Sequence, residues 1–230
     1  MATTQIIAHR GAWKRTDLPQ NSIAALQKSK ELNCDGCELD VHLTADGVVV
    51  VNHDHDFYGL SIEESTYTTL KAIKHLNDET IPTLENFLAH ASLPLFLEIK
   101  ASRISMRRSL ELAERVLTIV DKSTFTGTIH YISFLEEVLI KVLSLNPAAT
   151  VSLLNGKLAP AQIKSNGWQG FDYHVDILRK NPRWISEARE LELLSNVWTV
   201  NDAENMRYFL DSGIDFISTD EPEALIELRG

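Results

Sequence analysis

From end to end, short apolar runs alternate with longer amphipathic stretches, the pattern written by β-α units repeated around a parallel sheet. Eight apolar runs read as strands: residues 5–9, 37–41, 95–99, 128–132, 150–154, 170–174, 194–200 and 216–219. Residues 20–33, 83–91, 105–121, 134–145, 159–165, 182–191 and 202–212 carry helical spacing or helix-boundary residues. Pro222 opens an eighth short helix, because its fixed φ and missing N–H suit a first helical turn. A ninth apolar run, 48–52, follows Asp46-Gly47, a two-residue turn that folds a chain back antiparallel on itself. It is therefore expected to form a hairpin with residues 41–44 and to end at His53.

Eight strands each followed by a helix predict an α/β fold, a (β/α)8 TIM barrel with a short β-hairpin excursion after strand two, occupying residues 1–230 as a single domain. An open doubly wound sheet is the competing architecture. It wants a glycine-rich turn after the first strand, and Arg10-Gly11-Ala12-Trp13 has one glycine and no G-x-G-x-x-G. Residues 54–81, polar and rich in Thr, Glu and Lys, are expected to cover part of the barrel mouth.

Composition narrows the function classes. The 230 residues are 44% hydrophobic and 23% charged, as in ordinary globular proteins. A formal charge of −10 disfavours nucleic acid and anionic membrane surfaces as partners, since both require basic patches. No apolar run is long enough to span a bilayer, and the polar start lacks the plan of a signal peptide, so a cytoplasmic protein is expected. Cys34 and Cys37 form a C-x-x-C without a second metal-binding pair, and are expected to be buried small side chains.

In a barrel, reactive groups belong at the C-terminal strand ends. His9 and Arg10 end strand one. Glu38 and Asp40, two apart on strand two, share a face, as do Glu98 and Lys100 at the end of strand three. Three carboxylates on adjacent strands repel one another. A divalent cation relieves this, and all-oxygen ligation favours Mg²⁺ or Ca²⁺ over zinc. The competing reading is an inert ion-pair network in which Arg10 and Lys100 neutralise the acids. His9 gains significance from His53 at the end of the hairpin, because displacement at a phosphodiester needs one group to take a proton and another to deliver one.

The strings AHRG (8–11), P-x-N-S (19–22), ELDVHLTADGVVVVNHD (38–54), IPTLENFL (81–88), LEIK (97–100), VWTVND (197–202) and ISTDEPE (217–223) resemble, in order and spacing, the glycerophosphodiester phosphodiesterase family. The resemblance implies a (β/α)8 barrel, Glu38, Asp40 and Glu98 as ligands of one divalent cation, and His9 and His53 as an acid–base pair. It further implies Arg10 and Lys100 on the phosphate and Trp198 near the glycerol moiety. The implied activity is metal-dependent hydrolysis of a small glycerophosphodiester, such as glycerophosphocholine or glycerophosphoethanolamine, to glycerol 3-phosphate and an alcohol. A phospholipase D-like lyase giving a cyclic phosphate and a non-catalytic headgroup-binding barrel are the alternatives. Gln20 stands where the family commonly has an acid, and Phe216 where it has a small residue; both are expected to affect loop packing or pocket shape. His42 is expected to be exposed and peripheral, and His55 to lie in a loop without a metal. His130 and His174 are expected either as core or rim histidines or in contact with substrate, with Ser133, Asp172 and Asp220 as rim residues.

Overall fold

The computed structural model describes residues 3–230. In chain order its strands are β1 (Gln5–Ala8), β2 (Gly36–Leu43), β3 (Val49–Val51), β4 (Asp56–Phe57), β5 (Leu60–Ser61), β6 (Leu95–Ile99), β7 (Ile129–Ser133), β8 (Thr150–Leu153), β9 (Gly170–His174), β10 (Leu194–Trp198) and β11 (Phe216–Thr219). The helices are α1 (Ile23–Glu31), α2 (Tyr67–Lys71), α3 (Leu84–His90), α4 (Met106–Lys122), α5 (Glu136–Leu145), α6 (Pro160–Ser165), α7 (Val175–Lys180), α8 (Trp184–Glu190), α9 (Ala203–Ser212) and α10 (Pro222–Arg229). Strands β1, β2, β6, β7, β8, β9, β10 and β11 pair in parallel in that order, and β11 returns to β1, closing the expected eight-stranded barrel. The hairpin also forms. β3 lies antiparallel on β2 outside the ring, with Val41 opposite Val51 and Leu43 opposite Val49.

Alternation of side chains along each strand divides the apolar residues between two cores. Outward residues such as Ile6, Leu39, Leu97, Val151, Phe171, Val197 and Ile217 pack beneath the helices with Leu26, Leu84, Val116 and Phe209. Inward residues Ile7, Phe96, Ile132, Leu154 and Phe216 fill the barrel. Phe216 stands edge-on to Phe96 at 5.0 Å, so the residue expected to alter pocket shape is a barrel plug. His130 stacks on Phe96 at 4.4 Å and belongs to this interior.

Helix starts follow local chemistry. α1 begins at Ile23 rather than residue 20 because Asn21 takes a positive φ of 59° and the Ser22 hydroxyl accepts the Ala25 N–H. Thr83, Ser105 and Asp202 cap α3, α4 and α9 in the same way. α7 was not anticipated, because its six residues follow directly on His174 and are too few for a periodic pattern. Residues 54–81 are more ordered than their polar sequence implied. They contain β4, β5 and α2 around a small core of Val50, Phe57, Ile62, Leu70 and Ile81.

Cys34 and Cys37 are free and buried, as expected, and burial pushes the Cys34 thiol up to about 12. His42 is not exposed: it is buried, with Nε2 3.0 Å from the His53 carbonyl and its ring 4.7 Å from that of His55. Two residues beyond Asp40, it shares that residue's face, and the excursion covers it.

Candidate active site

The site begins with a turn that only glycine permits. β1 stops at Ala8, one residue short of the expected end, and Arg10 and Gly11 take positive φ values of 56° and 82°. A Cβ on Gly11 would sit 2.7 Å from the Ala25 backbone carbon, so the turn can press against α1 only with glycine there. The turn sends the Arg10 N–H to Glu38 Oε2 at 2.8 Å. It also places the guanidinium Nε 3.6 Å from Asp40 Oδ2 and Nη1 2.7 Å from Gln20 Oε1. Gln20 thus holds Arg10 as well as shaping the loop.

Glu38 and Asp40 project from β2, and Glu98 on β6 is in register with Asp40. One oxygen from each of the three lies within 4.8 Å of the others. Lys100 Nζ is 3.1 Å from Asp40 Oδ1 and 3.0 Å from Glu98 Oε1, and Asn21 donates to Asp40 Oδ2 at 2.9 Å. Burial opposes charge on Asp40, but Lys100, His53 and Arg10 outweigh it and hold the carboxyl below its ordinary range. Burial, and then the Asp40 charge, pushes Glu98 up to about 8. The same two causes, with Glu98 added, raise Glu38 well above the usual carboxylate range. The inert network is therefore incomplete: among the described residues two cations face three acids, and the Glu38 side chain has only a backbone N–H and a histidine 4.0 Å away. Buried, oxygen-only and short of positive charge, this donor set fits a hard divalent cation.

Each candidate catalytic histidine has a carboxylate on Nδ1. His9 Nδ1 lies 2.7 Å from Asp220 Oδ1, and Asn201 donates to the other Asp220 oxygen at 2.7 Å. His53 Nδ1 lies 2.8 Å from Asp54 Oδ1. Burial lowers the His53 pKa, partly offset by the Asp40 charge. His9 is more enclosed, its side chain 13% exposed against 35% for His53.

Alternate strands build the cavity beneath these groups. Glu38, Ile132, Asp172 and Ser218 come from β2, β7, β9 and β11; His9, Glu98, Leu154 and Trp198 come from, or follow directly on, the strands between them. Arg10, Lys100 and His53 line the same cavity, so all eight candidate residues surround it except Asp40, which lies behind Lys100 and Arg10. Trp198 Nε1 donates to the Asp172 carbonyl at 3.0 Å, which fixes the indole on the β9 side. A second, open cleft of about 360 Å³ adjoins through Arg10 and His53 and is walled by Phe57, Tyr58, His75, Asp54 and Asp56.

Two expected rim residues lie deeper. Asp172 is buried inside the barrel, because its position on β9 alternates inward with Gly170 and His174. Ser133 is buried and donates to the Ile99 carbonyl at 2.9 Å, a structural bond between strands. Asp220 does stand near the mouth, but its contact with His9 was missed. Its place directly after the last strand, in the loop facing strand one of a closed barrel, was the available signal. His55 lies in the excursion 3.8 Å from Glu63 and outside the acidic triad.

Charge gathered at the C-terminal mouth of a closed parallel barrel marks a (β/α)8-barrel enzyme, the class that builds its chemistry from strand ends and the loops after them. The glycerophosphoryl diester phosphodiesterase family model matches residues 9–224, and the chain belongs to that family. It is similar to a glycerophosphodiester phosphodiesterase of Caldanaerobacter subterraneus subsp. tengcongensis, 30% identical over 98% of this chain and 97% of the relative. It is similar also to the solved glycerophosphodiester phosphodiesterase from Parabacteroides distasonis, with a TM-score of 0.94, 38% identity, and coverage of 99% of this chain and 97% of that one. An Oleispira antarctica phosphodiesterase solved with its product sn-glycerol-3-phosphate shares the fold, with a TM-score of 0.84, 20% identity, and coverage of 98% and 96%.

Proposed function

We propose that the chain hydrolyses glycerophosphodiesters such as glycerophosphocholine and glycerophosphoethanolamine to glycerol 3-phosphate and the free alcohol. The observation that carries this reading is the convergence of the acidic triad, two carboxylate-backed histidines and two cations on one cavity. Glu38, Asp40 and Glu98 hold one divalent cation, Mg²⁺ or Ca²⁺, which when bound polarises a phosphoryl oxygen and stabilises charge there. Arg10 and Lys100 bind the phosphate oxygens, and the Arg10 fork suits them geometrically. One of His9 and His53 removes a proton from the attacking water, or from the neighbouring glycerol hydroxyl to give a cyclic phosphate that water then opens, and the other delivers a proton to the departing alkoxide. The Asp220 and Asp54 side chains on Nδ1 fix each ring so that Nε2 meets the substrate. The open cleft beside His53 receives the leaving alcohol. Its carboxylates, Asp54 and Asp56, and the rings of Phe57 and Tyr58 suit a cationic alcohol such as choline or ethanolamine. We take the protein to act in the cytoplasm as a single barrel on small molecules, its net charge of −10 disfavouring nucleic acid.

The test is release of glycerol 3-phosphate from glycerophosphocholine by the purified protein, with EDTA, with Mg²⁺ or Ca²⁺ restored, and with His9→Ala or His53→Ala. Metal-restored activity that both substitutions remove supports the reading. Absence of release with either metal from a folded protein, also tried on glycerophosphoethanolamine, overturns it; a cyclic phosphate as the final product by phosphorus NMR turns it into a lyase.

A further inference from the structure

Asp172 is an ionisable group that no step above uses. It is 2% exposed, Oδ2 accepts a hydrogen bond from Asn196 Nδ2 at 2.9 Å, and the same nitrogen donates to Ser218 Oγ at 3.0 Å. Oδ1 is buried without a hydrogen-bond partner among the described residues. A half-satisfied carboxyl in the middle of a barrel disfavours folding, and such groups persist where something outside the chain completes them. Burial raises this carboxyl to about 7, and Asn196 is the one group that opposes the rise.

Among the described side chains around the cavity, two buried polar atoms lack a hydrogen-bond partner, and they are chemical opposites: Arg10 Nε, a donor 3.6 Å from Asp40 Oδ2, and Asp172 Oδ1, an acceptor. They lie on opposite sides. Arg10 accompanies Glu38 and Asp40 of β2, and Asp172 is on β9, four strands further round a ring of eight. A ligand that satisfies both carries an anionic oxygen at one end and a hydroxyl at the other. Trp198, anchored through the Asp172 carbonyl, offers an apolar surface for the carbons between them.

We propose that Asp172 recognises the glycerol end of the substrate by accepting a hydrogen bond from a glycerol hydroxyl, and so selects phosphodiesters of polyols over those whose corresponding carbon lacks a hydroxyl. This rests on the glycerophosphodiesterase reading and adds a specificity residue to it. Asp172 is not a proton carrier in the reaction; it discriminates between ligands.

Two probes separate this role from general damage: glycerol 3-phosphate, and ethyl phosphate, which keeps the phosphate and lacks the hydroxyls. Affinities are measured calorimetrically with Mg²⁺ at pH 8 for the unsubstituted protein, Asp172→Ala and Asp172→Asn. Hydrogen bonds to charged groups lead us to expect a loss of about 10-fold or more in glycerol 3-phosphate affinity for Asp172→Ala. Ethyl phosphate should hold or tighten, because an anion has been removed from the cavity. Asp172→Asn keeps the side-chain volume and the contact with Asn196, and should move the same way by a smaller factor. It carries the test should the alanine variant not fold. Equal shifts for both probes, or unchanged glycerol 3-phosphate affinity in a folded variant, overturn the assignment. Glycerophosphocholine hydrolysis by the unsubstituted protein is run in parallel: if it is present, equal shifts remove the Asp172 role alone, and if it is absent the parent reading fails as well.

Discussion

Asp220 Oδ1 lies 2.7 Å from His9 Nδ1, joining the first loop of the barrel to the last across 211 residues of sequence. The carboxylate is mostly buried. Desolvation opposes its charge, but the His9 hydrogen bond leads the interactions that keep its pKa below the ordinary value, so it is ionised at neutral pH. Asp220→Asn keeps the shape and loses the charge that orients the imidazole. By the scale of general acid–base catalysis, kcat should fall by roughly 10²-fold while KM changes little. Steady-state kinetics on glycerophosphocholine decide this, and a kcat within threefold of the parent would deny Asp220 the role.

Removing either imidazole should cost more. His9→Ala and His53→Ala are each expected to lower kcat by about 10²–10⁴-fold with circular dichroism unchanged. The double variant should fall little below the worse single one, because two groups moving protons in one reaction do not act additively.

The acidic triad ties stability to pH and to metal. Glu98 titrates near 8 in the fold against an ordinary value of 4.5, so between these values the folded state binds more protons than the unfolded one. Below the ordinary histidine value of 6.5 the buried His42 and His130, both pushed down to about 4, act in the opposite sense, so it is from 6.5 to 8 that stability of the metal-free protein should fall as pH rises. Glu38 and Asp172, also raised, act in the same direction. Asp40 acts oppositely, and its contribution is lost only as pH falls through its own depressed pKa. Urea denaturation with EDTA across this range measures the slope, and a rise in stability towards pH 8 would contradict it.

Saturating Mg²⁺ or Ca²⁺ should reverse the penalty. A cation at 100 times its dissociation constant adds about 2.7 kcal/mol, raising Tm by roughly 5–10 °C for a chain of this size. Glu38→Gln removes an acid whose charge burial, Asp40 and Glu98 oppose, so its metal-free Tm should equal or exceed that of the parent. The metal-induced rise should shrink to a degree or two in a thermal melt.

Gly11→Ala tests the turn that carries Arg10. A methyl group would meet the Ala25 backbone at 2.7 Å and take a φ of 82°. Positive-φ strain and overpacking together predict a loss of about 2–4 kcal/mol, read as a lower urea midpoint with unchanged slope. Hydrolysis should fall with it, since the same turn aims the Arg10 N–H at Glu38.

Most of the barrel was legible in the sequence because its signals are local. Strands of four to eight residues between capped helices announce themselves through apolar runs, and Asp46-Gly47 announces the hairpin. The triad was legible for the same reason: Glu38 and Asp40 differ by two positions, and Glu98 recurs at the equivalent end of the next barrel strand. What failed to show was whatever depends on elements far apart in the chain. His42 is buried because the excursion folds over it, and nothing in its neighbours states that.

The residue types, their alternation along strands and their order thus determined by themselves the barrel, its hairpin and the acids and cations at its mouth. Closure of the ring decided the rest. It brought the loop after β11 beside the turn after β1, giving His9 its carboxylate, and it set Asp172 across the barrel from the acids of β2, with one oxygen unpaired. Local periodicity fixes which face a side chain takes, but its partner there comes from a strand whose distance in sequence carries no information about its distance in space.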